Sequence, residues 1–164
     1  MSKRYQGMLF TKQLDIAMSI TEELKKDHDQ QRDLLAQLAE SQPNTEERAS
    51  LLKELKLQLH AHADAEERSF YAPLMQHDET QDEARHSVHE HHEIEECLEA
   101  LEKAESDTTL WRSEFNKLKK LVLHHLEEEE REVFPIAAEI IPESKQEKLG
   151  EEYNEQMEEE TASA

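Results

Sequence analysis

Two related stretches of sequence decide the fold: HADAEERSFYAP at residues 62–73 and HLEEEEREVFPI at residues 125–136. Each begins with a histidine that is followed, four residues later, by a glutamate. Side chains four residues apart lie on the same face of an α-helix. Both stretches therefore predict a helix that carries an imidazole and a carboxylate on one side, followed by a short apolar segment that contains proline.

These two stretches belong to an internal repeat in which equivalent residues are 63 positions apart. The repeat relates three pairs of residues: His28 and His91, His62 and His125, and Glu66 and Glu129. One offset fits all three pairs, and the apolar residues that follow them agree as well. The sequence therefore predicts two related helix pairs arranged about a pseudo-twofold axis.

The apolar neighbours of the repeated residues show which way they face. His62 comes seven residues after Leu55 and three residues after Leu59, and both spacings return to the same face of a helix. The other three histidines of the repeat have apolar residues at similar spacings. We therefore predict that these four histidines, together with Glu66 and Glu129, point into the core.

Composition and helix breaks predict an all-α fold. Two glycines and four prolines in 164 residues leave few turns, whereas good helix formers dominate. Apolar residues at helical spacing predict four helices, at about 12–40, 45–76, 80–105 and 108–141. Short connections make this an antiparallel up-and-down four-helix bundle. Residues 1–11 are then an N-terminal extension, residues 12–141 the bundle, and residues 142–164 an acidic tail or a frayed helix.

Net charge and hydropathy restrict the surroundings of the protein. A formal charge of −21 repels phosphate backbones and anionic lipid headgroups, so neither nucleic acid nor a membrane is expected as a partner. No apolar run approaches the roughly 18 residues of a membrane-spanning helix. The single Cys97 has no partner for an internal disulfide, which fits a reducing compartment. We interpret it as a small core residue of a helix. We expect a soluble, cytoplasmic protein.

Two inward-facing carboxylates need a positive charge between them, because an unpaired carboxylate in a core costs several kcal/mol. The nearest arginines, Arg32, Arg68 and Arg131, fall on other helix faces. A pair of metal ions is the better neutraliser, and histidine with carboxylate suits iron, although zinc or manganese could take its place. The remaining histidines are interpreted as surface or structural residues: His60, His77, His86, His89, His92 and His124.

The order and spacing of these motifs over residues 12–141 resemble the hemerythrin-like, HHE cation-binding family. That resemblance implies a four-helix bundle whose core holds two irons, joined by a bridging oxo or hydroxo group. It also implies a role for each repeated residue. Glu66 and Glu129 would bridge the two irons, and the terminal nitrogen ligands would be His28, His62, His91 and His125.

The sequence departs from the oxygen-carrying members of the family at one position. Those proteins have a further histidine one turn before the ligand that corresponds to His91, and this chain has Ser87 there. His86, His89 or His92 could compensate only if the helix were rotated or distorted. We therefore expect one iron to have fewer protein ligands and more room for water or substrate.

Three functions follow from such a site. The first is a protein that binds O₂ or a related small ligand for storage, sensing or delivery. The second is a diiron oxidoreductase that acts on peroxide, nitric oxide or Fe(II). The third is an iron buffer or sensor. The sequence indicates neither an electron donor nor a protein partner, and it does not separate binding from turnover.

Overall fold

The computed structural model describes residues 18–164, and in this part of the chain it contains five long helices and no β-strand. The helices are α1 (Ile20–Glu40), α2 (Glu46–Glu66), α3 (Gln81–Lys103), α4 (Thr109–Glu128) and α5 (Glu143–Ala162). Short connections join α1 to α2 and α3 to α4 as two antiparallel pairs, which pack together as the two halves of a bundle. The prediction of an all-α helical bundle is confirmed. None of the described helices is long and apolar enough to cross a membrane.

The first helix begins at Ile20, and not at about residue 12 as predicted. Ser19 has an extended backbone, its side chain accepts a hydrogen bond from the backbone N–H of Glu22, and the Glu22 carboxylate accepts one from Ser19 in return. This capping box satisfies N–H groups that a helix leaves free at its start. Residues 12–17 and the predicted N-terminal extension lie outside the described residues.

Both α2 and α4 continue through a π-helical turn. The turns are formed by Glu67–Tyr71 and Glu129–Val133, and each leads into a further helical segment, Ala72–Leu74 or Phe134–Ile140. A π-helical turn has i→i+5 hydrogen bonds and so rotates the side chains that follow it relative to an α-helix. The predicted helices over 45–76 and 108–141 are therefore continuous in the chain but change geometry beside their glutamates.

The core consists of two apolar clusters with a polar layer between them. One cluster lies towards the connections that follow α1 and α3, and it contains the largest apolar residues of α4, Trp111 and Phe115, as well as Cys97. The other lies at the opposite end and contains Phe70 and Phe134. In each helix from α1 to α4 the repeated residues lie where the sequence passes from one cluster to the other. The apolar residues on both sides shield the layer from solvent at the two ends of the bundle.

The C-terminal segment, for which the sequence left an acidic tail or a frayed helix open, forms a helix over residues 143–162 that packs against α1 and α2. Only Leu149, Gly150 and Tyr153 of this helix are buried. Most of its other residues are charged, and most are exposed, which gives the segment the composition of a tail. The bundle therefore has four helices that carry the repeat and a fifth that covers one side of it.

Gly150 fixes how closely α5 approaches the start of α1, and this gives a first prediction. A Cβ atom at position 150 would lie 2.5 Å from the backbone oxygen of Met18 and 3.2 Å from the nitrogen of Ile20. Gly150→Ala should therefore lower the free energy of unfolding by about 1–3 kcal/mol in urea denaturation. Asn154→Ala, at an exposed position of the same helix, is the control and should not destabilise the protein. A gain of about 1 kcal/mol for Gly150→Ala, the usual result in a helix, would contradict the close contact.

Candidate metal centre

The structure brings all six predicted site residues together in the polar layer. Their exposed fractions lie between 0 and 8 %, and four different helices supply them: His28, His62, Glu66, His91, His125 and Glu129. They form two groups of four, each with ligand atoms within 4.8 Å of one another. One group contains His28 and His62, the other contains His91 and His125, and both groups include Glu66 and Glu129. The prediction that these side chains face the core is confirmed. Their role as ligands stays a prediction.

Each glutamate faces two imidazoles, one from its own helix and one from a neighbouring helix. The distances from histidine Nε2 to carboxylate oxygen are 3.5 Å for His62 and 3.2 Å for His91 at Glu66, and 3.4 Å for His125 and 3.2 Å for His28 at Glu129. The Nε2 atoms of His91 and His125 are 3.0 Å apart. Nitrogen and oxygen atoms from four helices thus converge on one small volume.

Outer carboxylates hold three of the histidines by their other ring nitrogen. The Nδ1 atoms of His28, His91 and His125 lie 2.8 Å from carboxylate oxygens of Glu130, Glu67 and Glu90 respectively. An ionised carboxylate only accepts hydrogen bonds, so each Nδ1 carries the proton and donates it. Nε2 of a neutral ring then presents a lone pair to the centre. A metal-ligating histidine is usually held in this way.

The inward-facing atoms fit metal ions better than they fit one another. Lone pairs on Nε2 would meet lone pairs on the carboxylates, which is repulsive without a cation between them. Five buried atoms of this layer have no hydrogen-bond partner: Nε2 of His28 and His62, both oxygens of Glu66, and Oε2 of Glu129. Each such atom costs about 1–3 kcal/mol. Coordination of two cations by the two groups would satisfy them all.

Electrostatics in the layer agree with this interpretation. Burial by itself would raise the pKa of Glu66, but the imidazoles of His62 and His91 outweigh burial and lower it. Burial and the charge of Glu66 both raise the pKa of Glu129 well above its ordinary value. The protein side chains alone therefore do not stabilise two ionised carboxylates here, whereas divalent cations would.

His62 is held differently from the other three histidines, because α5 takes part. Its Nδ1 lies 2.7 Å from the hydroxyl oxygen of Tyr153, and this hydroxyl donates to Asp27. Asp27 corresponds to Glu90 in the repeat (90 − 27 = 63), but its carboxylate is 3.7 Å from His62. Tyr153 therefore fills the gap between a shorter side chain and the imidazole. Burial and the neighbouring charge of Asp27 raise the pKa of Tyr153, which keeps the phenol protonated.

Tyr71 is a site residue that the sequence analysis missed. Its side chain is fully buried, its hydroxyl donates to Glu129, and its ring lies edge-on to His91 with 6.1 Å between centroids. Tyr71 is five residues after Glu66. In an α-helix these two side chains would lie on different faces, whereas across a π-helical turn they lie on the same side. The equivalent residue of the other half is Phe134, which stacks on His28. The phenol of Tyr71 thus has no counterpart at the equivalent position of the other half.

No further histidine of the third helix joins the buried residues. The side chains of His86, His89 and His92 are 53 %, 67 % and 71 % exposed, and Ser87 is buried. The compensation considered for these histidines is therefore not observed. The sequence analysis expected a coordination position left open for water or substrate, and this stays a prediction. It did not consider Tyr71, which lies beside His91.

A cavity of about 400 Å³ leads from the surface to His91 and His125 between α2 and α3. Leu59, Val88 and Leu98 form part of its wall, and Glu67 lies beside it. A small, weakly polar molecule could therefore reach the half of the site that contains His91 and His125.

Comparison with known proteins agrees with these observations. The family model described as Hemerythrin HHE cation binding domain matches residues 19–137. A crystal structure of a Hemerythrin HHE cation binding domain-containing protein from Mycobacterium kansasii is 27 % identical in sequence, with a TM-score of 0.80 over 89 % of each chain. A search among proteins of curated function finds no match.

The family match covers α1 to α4 and includes all six inward-facing residues. Buried groups of histidine and glutamate at the centre of that region provide the ligand types by which such a domain binds a metal cation. This chain belongs to the hemerythrin HHE cation-binding domain family.

Proposed function

We propose that this protein is a non-haem diiron protein of the hemerythrin type, which binds O₂ or a related small ligand. The observation that supports the proposal best is the pair of four-residue groups that share Glu66 and Glu129. Two shared carboxylates are the arrangement that two ions about 3.5–4 Å apart require. Histidine with carboxylate favours iron, and zinc or manganese could substitute. When bound, the iron pair would supply reversible redox chemistry and a position for the small ligand.

The side chains of this chain would hold and orient the ions and keep water away. His28, His62 and Glu66, with Glu129, would hold one ion, and His91 and His125, with the same glutamates, would hold the other. The outer carboxylates and Tyr153 keep the proton on Nδ1 of each ring, which leaves Nε2 free for the metal. The two apolar clusters on either side would shield the ions from solvent except at the cavity beside His91 and His125.

The cavity beside His91 and His125 supports a small ligand. Its aliphatic wall residues make it suitable for O₂ or another small diatomic molecule, and it is too small for a large substrate. The ligand would approach the half of the site that contains Tyr71 and lacks a fifth histidine at Ser87.

Tyr71 favours a second candidate, an oxidoreductase that acts on peroxide, nitric oxide or Fe(II). Its hydroxyl proton lies inside the site, hydrogen-bonded to Glu129. Reduction of peroxide consumes protons, whereas reversible ligand binding needs no such donor. A hydroxyl that donates to Glu129 also holds this carboxylate in place, which is a role that both functions allow. An experiment therefore has to separate them.

Mixing the reduced, iron-loaded protein with O₂ tests the two functions. Binding should give an oxygenated absorption spectrum that is reversed when O₂ is removed, without release of peroxide. An oxidoreductase should instead consume peroxide or nitric oxide over many turnovers. In that case Tyr71→Phe should slow the turnover at least tenfold with an unchanged iron content. If the protein shows neither a reversible spectrum nor turnover, both functions are contradicted.

The iron content should depend on the two shared carboxylates. We expect two iron ions per chain in the native protein, and at least one fewer in Glu66→Ala or Glu129→Ala, because each substitution removes a ligand common to both ions. Metal analysis of protein loaded under iron-replete conditions measures this, and circular dichroism checks that the variants remain helical. Glu127→Ala, an exposed neighbour in the same acidic run, is the control and should keep both ions. Full iron content in either test variant would remove that residue from the site.

Removal of the metal should make stability depend on pH. Burial opposes protonation of His91, but the neighbouring carboxylates of Glu66 and Glu67 outweigh it and raise its pKa to about 9 from 6.5. Its stabilising contribution is therefore complete below pH 6.5 and is lost as the pH rises through 9, on the order of 3 kcal/mol. Glu129, whose pKa is also raised, contributes with the same sign. Bound metal requires neutral histidine and ionised carboxylate, so the loaded protein should not show this loss.

Thermal melting with and without a chelator measures the effect. The difference in melting temperature between loaded and chelated protein should be larger at pH 9 than at pH 6.5. Glu67→Gln removes one partner of His91 and should reduce this pH dependence. A chelated protein that melts at the same temperature as the loaded one at both values would rule out a metal site coupled to folding.

A further inference from the structure

The outer face of the second helix pair carries the same motif as the buried site. His86 and Glu90 of α3 are four residues apart, and so are His124 and Glu128 of α4. His124 and Glu128 come directly before His125 and Glu129, so they project from a neighbouring face of the same helix. The sequence analysis interpreted His86 and His124 as surface residues. The structure shows that both are exposed and that both lie within 4 Å of the carboxylates of Glu90 and Glu128.

The four side chains approach one another at distances that suit metal ligands. His86 Nε2 lies 3.6 Å from Oε1 of Glu90 and 3.6 Å from Oε1 of Glu128. His124 Nε2 lies 3.1 Å from Oε2 of Glu128 and 3.9 Å from Oε1 of Glu90. One ligand atom each from His86, Glu90 and Glu128 can be chosen so that all three lie within 4.8 Å of one another.

Most of these distances are too long for hydrogen bonds, which lie between about 2.7 and 3.2 Å. They are close to the spacing of neighbouring ligands around one ion. Ligand atoms at about 2.0–2.1 Å from a tetrahedral zinc ion are roughly 3.3 Å apart. His86, Glu90 and Glu128 are thus arranged around a common point, and His124 lies within hydrogen-bond distance of Glu128 at its edge.

We propose that His86, Glu90 and Glu128, with His124 as a fourth donor, form an exposed site for one divalent transition-metal ion. Two imidazoles and two carboxylates are a ligand set that binds Zn²⁺ or Fe²⁺ and that Ca²⁺ and Mg²⁺ do not prefer. The site is separate from the two buried groups and does not depend on which metal they hold.

The surroundings of the site attract cations and connect it to the buried centre. A pocket of about 250 Å³ beside it is lined by Asp82, Glu83 and Glu132, as well as His86, Glu128 and the buried Ser87. These acidic side chains raise the local concentration of cations. Glu90 has one oxygen towards the exposed site, and its other oxygen accepts the hydrogen bond from Nδ1 of His125. One carboxylate therefore contacts both an exposed ligand and a buried one.

Titration of the iron-loaded protein with Zn²⁺ tests the site by a readout other than activity. Calorimetry should detect one Zn²⁺ ion per chain beyond any bound at the buried centre. His86→Ala combined with Glu128→Gln should weaken this binding at least tenfold, and His124→Ala should weaken it by a smaller factor. Glu90 is left unchanged because it also holds His125.

A matched control is available on the same helix. His89 and Glu93 have the same four-residue spacing as His86 and Glu90, and both are exposed, but among the described residues they belong to no group of three ligands. His89→Ala combined with Glu93→Gln should therefore leave Zn²⁺ binding unchanged. Equal weakening in the control and test variants, or unchanged stoichiometry and affinity in His86→Ala with Glu128→Gln, would overturn the proposal. The comparison between variants holds even if the buried centre contains a metal other than iron.

Discussion

Two carboxylates that face each other inside an apolar core are the constraint on which this structure depends. Glu66 and Glu129 are fully buried, and three of their four oxygens have no hydrogen-bond partner. Such an arrangement opposes folding unless positive charge lies between the glutamates. The chain offers imidazoles there, but their inward nitrogens present lone pairs. Stability and metal binding are therefore linked through the same atoms. The positive charge that the buried carboxylates lack is the charge that a bound metal ion would supply.

The internal repeat extends to the residues that hold the inward-facing histidines, and its exceptions distinguish the two halves. Glu67 and Glu130, also 63 positions apart, hold His91 and His28 in the same way. At the next pair the repeat is broken. Asp27 replaces the longer Glu90, and Tyr153 of the added helix α5 fills the difference. A fifth helix that is unrelated to the repeat has thus become part of the support of one ligand.

The sequence was sufficient for the bundle and for the six inward residues because both follow from helical periodicity. Residues on one face of an α-helix can be identified by counting, and the repeat supplied two independent copies of the pattern. Counting fails where the periodicity changes. Tyr71 comes to face the site only because a π-helical turn follows Glu66. For helix α5 the sequence left a tail or a frayed helix open, because the segment buries too few residues to show a clear apolar face. Contacts across α3 and α4, such as His86 with Glu128, depend on the relative position of two helices.

The differences between the halves determine where a ligand can reach the buried centre. On one side, Phe134 stacks on His28 and α5 places Tyr153 against His62, so apolar and aromatic groups cover these ligands. On the other side, the cavity between α2 and α3 reaches His91 and His125, Tyr71 replaces the phenylalanine, and Ser87 occupies the place of a larger imidazole. A pseudo-twofold arrangement of ligands would by itself make the two ions equivalent. Because the surroundings are not equivalent, a small molecule would bind, in the proposed diiron centre, at the ion beside His91 and His125, and the protein would enclose the ion beside His28 and His62.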